Sequence, residues 1–139
     1  MVVLAVDYGD TRTGLAKCDR EELLASPHMV ITERNAFKLA EKITEQAKVL
    51  GAEEIVVGNP LNMDGSSGPR SEKCSEFAKL LEETSGIPVV TYDERSTTVS
   101  AAYYLNQTDV RGTKRKKIID AVAAVIILES FLAYKKRKG

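Results

Sequence analysis

Three acidic residues stand at positions where acidic side chains are unusual. Asp7 ends one valine-rich apolar run, and Glu94 closely follows another. Asp120 is the only non-apolar residue among the eleven from Ile118 to Leu128. A helix that is apolar on all sides is typical of a protein core. An ionised carboxylate in such a helix is unfavourable unless another group compensates for its charge.

The three carboxylates would form a divalent-cation site if the fold brings them together. Asp7 and Glu94 come where buried strands are predicted to end, and open α/β sheets bind ligands at the carboxyl ends of their strands. If the last helix crosses that edge, Asp120 joins them. Clustered carboxylates repel one another, and their oxygens suit Mg²⁺ or Mn²⁺. Two such ions can activate a water and stabilise the leaving oxygen of a phosphodiester, so these acids are candidate metal ligands and catalytic residues.

Each acid also has a purely structural interpretation. Asp7 could cap a turn, Glu94 could pair with Arg95, and Asp120 could cap its helix or pair with a lysine. Two alanines lie one turn beyond Asp120, where larger side chains would have filled the space if packing were the only demand. This spacing favours a functional carboxylate at that position.

Other catalytic schemes have less support in the sequence. His28 is the only histidine, and no serine or cysteine nucleophile motif accompanies it. Cys74 falls on the apolar face of a predicted helix, and the only other cysteine is Cys18. No phosphate-binding loop of the GxxxxGK[ST] type is present. We therefore expect His28 and Cys74 to be structural.

The apolar periodicity predicts the element order β-β-β-α-β-α-β-α-α. It predicts an α/β fold with a mixed five-stranded sheet and helices on both faces. The predicted strands are Val2–Val6, Thr13–Lys17, His28–Ile31, Glu54–Gly58 and Val89–Tyr92. The predicted helices cover residues 35–50, 69–85, 97–106 and 118–134, and Gly112–Lys117 is predicted to be a basic loop.

Composition favours one globular domain over residues 1–139. The chain has 43% apolar and 29% charged residues, which is typical of a folded protein with a substantial core. Its longest apolar run, Ala121–Leu128, is too short to cross a membrane, and its first residues do not have the pattern of a signal peptide. Two cysteines cannot form a disulfide framework. We expect a cytoplasmic protein without a membrane partner.

The formal net charge of zero hides an uneven distribution. Residues 111–139 carry a net charge of +7, and the remainder carries −7. A basic segment on an acidic body favours a polyanionic partner such as nucleic acid, because clustered cations displace counterions from phosphates. A solvated basic terminus is the alternative interpretation.

The segment NPLNMDGSSGPR, residues 59–70, is the second candidate for contact with nucleic acid. Gly65 and Gly68 would let the backbone approach a ligand closely, and long loops in compact domains are often functional. A flexible surface loop is the alternative. The predicted nucleic-acid-binding residues are Arg12, Asn62, Arg70, Arg95, Lys114, Arg115, Lys116 and Lys117.

Four ordered motifs together resemble one known family. They are AVDYGDTRTGLAKCD, VVGNPLNMDGSSGPR, TYDERSTT and IIDAVAAVIIL, and they extend over nearly the whole chain. In order and spacing they closely resemble the YqgF/RuvX family, small bacterial proteins related to RuvC-type Holliday junction resolvases. The resemblance implies the ribonuclease H-like fold and a nuclease that acts at the 5′ end of precursor 16S rRNA. Cleavage of branched DNA at Holliday junctions is the competing implication.

The resemblance also carries the acidic site of the family onto Asp7, Glu94 and Asp120. RuvC-type resolvases usually have a fourth acid one turn along the last helix, where this chain has Ala123 or Ala124. The missing acid puts a second metal ion in doubt.

Two other functions compete with the nuclease. An actin-like ATP-binding fold also begins with a strand, an aspartate and a glycine-rich hairpin, but it needs two such domains. A non-catalytic RNA-binding assembly factor would use the basic segment and the loop without needing the three acids. A resolvase should be a symmetric homodimer because its junction has equivalent strands, whereas an rRNA-trimming enzyme can be a monomer.

Overall fold

The computed structural model describes residues 1–22, 24–60, 68–93 and 112–138, with side chains in the last range from 121 to 136. Five strands and three helices lie in these ranges. The strands are β1 (Val3–Asp7), β2 (Arg12–Cys18), β3 (Ala25–Thr32), β4 (Glu54–Asn59) and β5 (Val89–Asp93). The helices are α1 (Ala36–Leu50), α2 (Pro69–Ser85) and α3 (Gly112–Lys138).

The strands form one mixed sheet in the order β3-β2-β1-β4-β5. The strands β1, β2 and β3 pair antiparallel, whereas β1, β4 and β5 pair parallel. This arrangement confirms the predicted mixed five-stranded sheet. Since parallel strands end at the same side, Asp7, Asn59 and Asp93 all lie at one edge of the sheet, which we call the carboxyl edge.

Helices cover both faces of the sheet, as the buried valine-rich strands predict. On β1, Leu4 and Val6 pack in the core formed with α1 and α2. Val3 and Ala5 point the other way and pack in the core formed with α3. All four side chains have 0% exposure, so β1 is buried on both faces and its position is fixed by packing.

The helix ends follow local sequence signals. Asn35 caps α1, since its Oδ1 accepts a hydrogen bond of 3.0 Å from the backbone N–H of Lys38. Gly51 ends α1 and Gly86 ends α2, with φ values of 69° and 71° that suit glycine. The predicted helix stops are therefore confirmed.

Three predicted boundaries differ from the structure by three or more residues. One is the end of α3, which is at Lys138 instead of near residue 134. The strand β3 begins at Ala25 instead of His28, because β3 is an edge strand and tolerates Pro27. The segment Gly112–Lys117, predicted to be a loop, forms the first turns of α3. Lysine and arginine are good helix formers, and the apolar pattern that indicates the helix begins only at residue 118.

The predicted helix over residues 97–106 lies outside the described residues. No helix within the described ranges has the length and hydropathy needed to cross a bilayer.

Candidate functional site

Asp7 occupies the carboxyl end of the central strand of the sheet. Its backbone pairs with Gly14 of β2, and its neighbour Val6 pairs with Val57 of β4. The residue is half-buried, whereas the four residues before it are fully buried. The sheet therefore holds the Asp7 backbone in place and leaves its carboxylate at the margin of the core, where a ligand can reach it.

Strand alternation places Asp7 on the face covered by α3. Successive side chains of a strand point to opposite faces, and Val3 and Ala5 both pack against α3. On β5, Tyr92 packs in the same core, so Asp93 belongs to the opposite face. Asp93 is therefore at the same edge as Asp7 but on the other side of the sheet.

Asn59 also lies on the α2 side of the carboxyl edge. Its Oδ1 accepts a hydrogen bond of 2.5 Å from the Ser71 hydroxyl, at the start of α2. Asn59 is the register partner of Asp93. This side of the edge is thus used to attach the start of α2 to β4.

Arg70 holds the loop that follows Asp7. Its Nη1 donates a hydrogen bond of 2.9 Å to Asp10 Oδ1, and its Nη2 donates to the carbonyl oxygen of Tyr8. The guanidinium also lies 5.2 Å from the centre of the Tyr8 ring. A planar guanidinium can donate from two of its nitrogens while it lies close to an aromatic ring.

The β1–β2 loop is tight at Gly9. A Cβ atom on Gly9 would lie 2.0 Å from the carbonyl oxygen of Arg12, so no other residue fits without moving backbone. The Gly9 N–H donates a hydrogen bond of 3.2 Å to the hydroxyl of Thr13, which is fully buried. The backbone just beyond Asp7 is therefore fixed by sterics and by hydrogen bonding.

Tyr8 lies between Arg70 and Phe77. Its ring stacks on Phe77 with a centroid separation of 4.3 Å and an interplanar angle of 2°. Burial raises the pKa of the Tyr8 hydroxyl, and the positive charge of Arg70 offsets part of that effect. Tyr8 is consequently a neutral packing group, which attaches the residue after Asp7 to α2.

The structure places the predicted metal ligands only in part. Asp7 is described in full, Glu94 lies outside the described residues, and Asp120 is described only as a backbone position in α3. Among the side chains that are described, no group of three or more His, Cys, Asp or Glu residues could hold a metal ion. The convergence of the three acids therefore stays a prediction.

The absence of a fourth acid on α3 is matched by close packing. Ala123 is 8% exposed and Ala124 is 0% exposed, and Ala124 packs against the sheet. Oxygen donors at the carboxyl edge fit a hard divalent cation, but this stretch of α3 supplies none beyond Asp120.

The predicted nucleic-acid-binding residues are also placed in part. Arg12 begins β2 and is half-buried, and Arg70 begins α2 with the contacts given above. The basic residues of the first turns of α3 are described only as backbone. Asn62 and Arg95 lie outside the described residues.

His28 and Cys74 have structural surroundings, as predicted. His28 Nε2 is 2.8 Å from Gln46 Oε1, which links β3 to α1. Cys74 is 1% exposed in the core between the sheet and α2.

Sequence reasoning does not identify Tyr8, Asp10 and Phe77 as parts of this site. Tyr8 and Asp10 belong to the DYGD turn, which the sequence predicts only as a connection between strands. The periodicity assigns Phe77 to the core face of α2, and its stacking on Tyr8 depends on a tertiary contact. The proximity of Arg70 to Asp10, 60 residues apart in the chain, has no local sequence signal.

Solved structures with this topology show which fold the chain has. RuvC of T. thermophilus, in a complex with a Holliday junction substrate, is 16% identical with a TM-score of 0.61 over 98% of this chain and 96% of that chain. The fowlpox virus Holliday junction resolvase is 13% identical with a TM-score of 0.60 over 96% of this chain and 99% of that chain. The chain thus has the ribonuclease H-like fold of the RuvC-like resolvases.

Sequence comparison gives the family within this class. A family model described as "RuvX: Holliday junction resolvase" matches residues 1–134. A relative from Halothermothrix orenii, named "Putative pre-16S rRNA nuclease", is 41% identical over 137 residues, which are 99% of this chain and 98% of the relative. The chain belongs to the RuvX family. Proteins of the RuvC-like nuclease fold generally depend on a divalent metal.

Proposed function

We propose that the chain is a metal-dependent nuclease that hydrolyses phosphodiester bonds in precursor 16S rRNA. Its family is described as a family of Holliday junction resolvases, and its H. orenii relative is named a pre-16S rRNA nuclease. Both are descriptions of nucleases. The single observation that carries the proposal is the position of Asp7. A half-buried carboxylate ends the central strand of a ribonuclease H-like sheet, on the face covered by the helix that bears Asp120. Action on ribosomal precursors would take place in the cytoplasm.

The direction of α3 supports the proposed site. Near its end, Lys135 forms ion pairs with Glu54, the first residue of β4, and with Glu22. These contacts attach the end of α3 to the edge opposite Asp7. Asp120 comes fifteen residues earlier, about 22 Å along a helix, and one turn before the buried Ala124. The earlier turns of α3 therefore extend toward the carboxyl edge.

Asp7, Glu94 and Asp120 would hold Mg²⁺ or Mn²⁺ in this proposal. The bound ion would polarise the scissile phosphate and lower the pKa of the attacking water. The chain itself positions Asp7. The buried strand β1 holds the residues before Asp7, and the contacts of Arg70 and Gly9 hold the β1–β2 loop that follows it. Because Ala123 and Ala124 stand where RuvC-type resolvases usually have a fourth acid, the site has fewer ligands for a second ion.

The test is cleavage of labelled precursor 16S rRNA in Mg²⁺, in Mn²⁺ and in a chelator. We expect cleavage only with metal, and we expect Asp7→Asn, Glu94→Gln and Asp120→Asn to lose at least about 100-fold in rate while substrate affinity stays within a few-fold. Asp93→Asn is the matched control, because Asp93 lies at the same edge on the opposite face. It should cleave within a few-fold of the unmodified chain.

Three results would contradict this assignment. Near-normal cleavage by Asp7→Asn would show that Asp7 is not a ligand of a catalytic metal ion. Equal losses in Asp93→Asn and Asp7→Asn would show a general electrostatic effect. Tight RNA binding without cleavage in either metal would favour the non-catalytic assembly factor.

Branched DNA is the second candidate substrate, because the family model is described as a Holliday junction resolvase. The same assay with a labelled four-way junction distinguishes the two. A resolvase should cleave the two symmetry-related strands of the junction and should sediment as a homodimer. An rRNA nuclease should prefer the precursor, and a monomer suffices for it.

A further inference from the structure

The residue beside Asp7 on the neighbouring strand β2 is a glycine. Gly14 is the register partner of Asp7, and paired residues of antiparallel strands have their side chains on the same face of the sheet. The pair two residues further inward, Ala5 and Ala16, packs in the core formed with α3. Since side chains alternate along a strand, Asp7 and Gly14 both belong to the face that α3 covers.

The surface that β2 presents to α3 consists of small residues. Within the described residues, α3 packs more extensively against β2 than against any other strand, with β1 and β3 on either side. From Gly14 to the end of β2, the residues on this face are Gly14, Ala16 and Cys18, and the last two pack in the core with α3. Because no large side chain separates them, the backbones of α3 and β2 can lie close together.

Gly14 is buried, although Asp7 beside it is only half-buried. A strand glycine has no side chain to cover its own backbone, so its burial requires packing on both faces of the sheet. On the face that holds Asp7, the covering element is α3. A glycine inside a strand often marks a place where another backbone approaches closely. The burial of Gly14 therefore indicates that α3 lies close to the sheet at the level of Asp7.

The position of Asp120 in α3 relates this close packing to the proposed metal site. Asp120 comes four residues before Ala124, so the two positions are on the same side of the helix. Ala124 is fully buried in the core with Ala16. A methyl group added at Gly14 would occupy space between β2 and α3, next to Asp7. The size of residue 14 therefore affects the distance between the helix that bears Asp120 and the strand that bears Asp7.

We propose that Gly14 is a positioning residue for the metal site: its missing side chain lets α3 lie close enough to β1 for Asp7 and Asp120 to bind one divalent cation together. The inference deepens the proposed function and rests on it, because it takes these two carboxylates as ligands. Mg²⁺ requires near-ideal distances to its oxygen ligands, so a small displacement of α3 should weaken binding. The spacing between α3 and β2 then determines the affinity for the metal.

The test measures Mn²⁺ binding by isothermal titration calorimetry, without RNA, for the unmodified chain and for Gly14→Ala. Because the added methyl group pushes α3 away from β2, we expect the affinity to fall by about tenfold or more. Asp120→Glu lengthens the carboxylate by one methylene group. It should weaken Mn²⁺ binding in the unmodified chain but restore part of the affinity in Gly14→Ala. A loss of stability alone would not produce this reversal.

Val3→Ile is the matched control. Val3 is fully buried in the core with α3, on the same strand as Asp7 but four residues away from it. The added methylene group overpacks the same interface at a distance from the proposed site, which should destabilise the protein as Gly14→Ala does. Thermal unfolding in a chelator measures that loss in both variants. We expect the Mn²⁺ affinity of Val3→Ile to be unchanged.

Unchanged Mn²⁺ affinity in Gly14→Ala would overturn the proposal. An equal loss of affinity in Val3→Ile would also overturn it, and so would a failure of Asp120→Glu to raise the affinity of Gly14→Ala. If Gly14→Ala does not fold in the chelator, Gly14 serves the fold and the positioning role is wrong.

Failure of the proposed function gives a different result. If the unmodified chain and Asp7→Asn bind Mn²⁺ equally, the metal site itself is wrong, and the role of Gly14 falls with it. If Mn²⁺ binding depends on Asp7 and Gly14 but precursor rRNA is not cleaved, the positioning role stands and the nuclease proposal falls.

Discussion

The guanidinium of Arg70 has an intramolecular role that its sequence position does not predict. The loop composition predicts a contact with a phosphate, but the side chain reaches back to Asp10 and Tyr8. Hydrogen bonds between charged groups are stronger than neutral ones, and a planar guanidinium adds directional specificity. Arg70 therefore couples the start of α2 to the loop beside Asp7, whether or not it also touches a phosphate.

Replacing Arg70 with glutamine separates these two roles. If the intramolecular contacts dominate, Arg70→Gln should lower the free energy of unfolding by about 1–2 kcal/mol. The salt dependence of RNA binding should then be unchanged. If Arg70 mainly contacts a phosphate, stability should hold and the slope of log K against log salt should fall by about one unit. Thermal unfolding and a salt titration of binding measure both quantities.

Lys79→Gln provides the comparison for Arg70→Gln. Lys79 is exposed on the same helix, so its removal changes the net charge equally without touching the loop. We expect neither stability nor the salt slope to change. A stable Arg70→Gln protein with a reduced slope would refute the intramolecular role.

At the scale of elements, α3 is attached to the sheet by ion pairs near its C-terminal end. Lys135 Nζ lies 3.0 Å from Glu22 Oε1 and 3.2 Å from Glu54 Oε1, with its side chain 27% exposed. Burial alone would lower the pKa of this lysine. The hydrogen bonds to the two carboxylates outweigh that effect, so its pKa is raised.

Lys135→Ala should destabilise the protein by about 1–2 kcal/mol, because it leaves two partly buried carboxylates without their shared cation. A lysine whose folded pKa is raised stabilises the fold fully below its unfolded pKa of about 10.4. The contribution disappears as pH rises through the higher folded value. Urea unfolding at neutral pH and well above about pH 10.4 should therefore show a smaller difference between the variant and the unmodified chain at the higher pH.

Lys136→Ala is the neighbouring control, since Lys136 is exposed and the ion pairs of Lys135 do not include it. It should cost little at any pH. If Lys135→Ala lowers the free energy of unfolding by the same amount across this pH range, the packing of the lysine methylene groups is responsible for the loss. The ion pairs would then contribute little to stability.

Periodicity is sufficient to predict the elements that the core requires. The buried run of β1, the stops at Gly51 and Gly86 and the buried face of α2 all have local signals, and all are confirmed. The start of α3 has no such signal, because its first six residues contain no apolar side chain that could form a pattern. The length of the edge strand β3 is underestimated because Pro27 suggests a break, although an edge strand has no need of that N–H group.

The part of the candidate site that can be predicted from the sequence is the part where a charged side chain occurs at a position expected to be buried. Asp7 is identifiable because a carboxylate at the end of a buried strand requires an explanation, and the structure places it at the carboxyl edge. The contacts of Tyr8 with Arg70 and Phe77 are not identifiable from the sequence, because they depend on how α2 packs beside the β1–β2 loop. Long-range contacts of this kind leave no periodic trace in the sequence.

For the molecule as a whole, the positive charge is concentrated on one helix. Lys114–Lys117 lie in the first turns of α3, and Lys135–Lys138 lie in its last. Lys135 comes 18 residues after Lys117, which is roughly 27 Å along a helix. This distance exceeds the screening length of about 8 Å at physiological salt. The two clusters therefore act independently on a bound polyanion.

If nucleic acid lies across the carboxyl edge, only the first cluster should contact it. Changing Lys114, Arg115, Lys116 and Lys117 to glutamine should weaken RNA binding and lower the slope of log K against log salt by about one unit for each phosphate that these side chains neutralise.

The comparison protein carries glutamine at Lys136, Arg137 and Lys138, which removes a similar charge at the other end of α3. Its slope should be nearly unchanged, because the ion pairs of Lys135 place that end near Glu54, at the opposite edge of the sheet. Binding titrations between about 50 and 200 mM salt give both slopes. Equal reductions in the two proteins would mean that the basic residues act only through net charge, and an unchanged slope in the first would mean that Lys114–Lys117 merely face solvent.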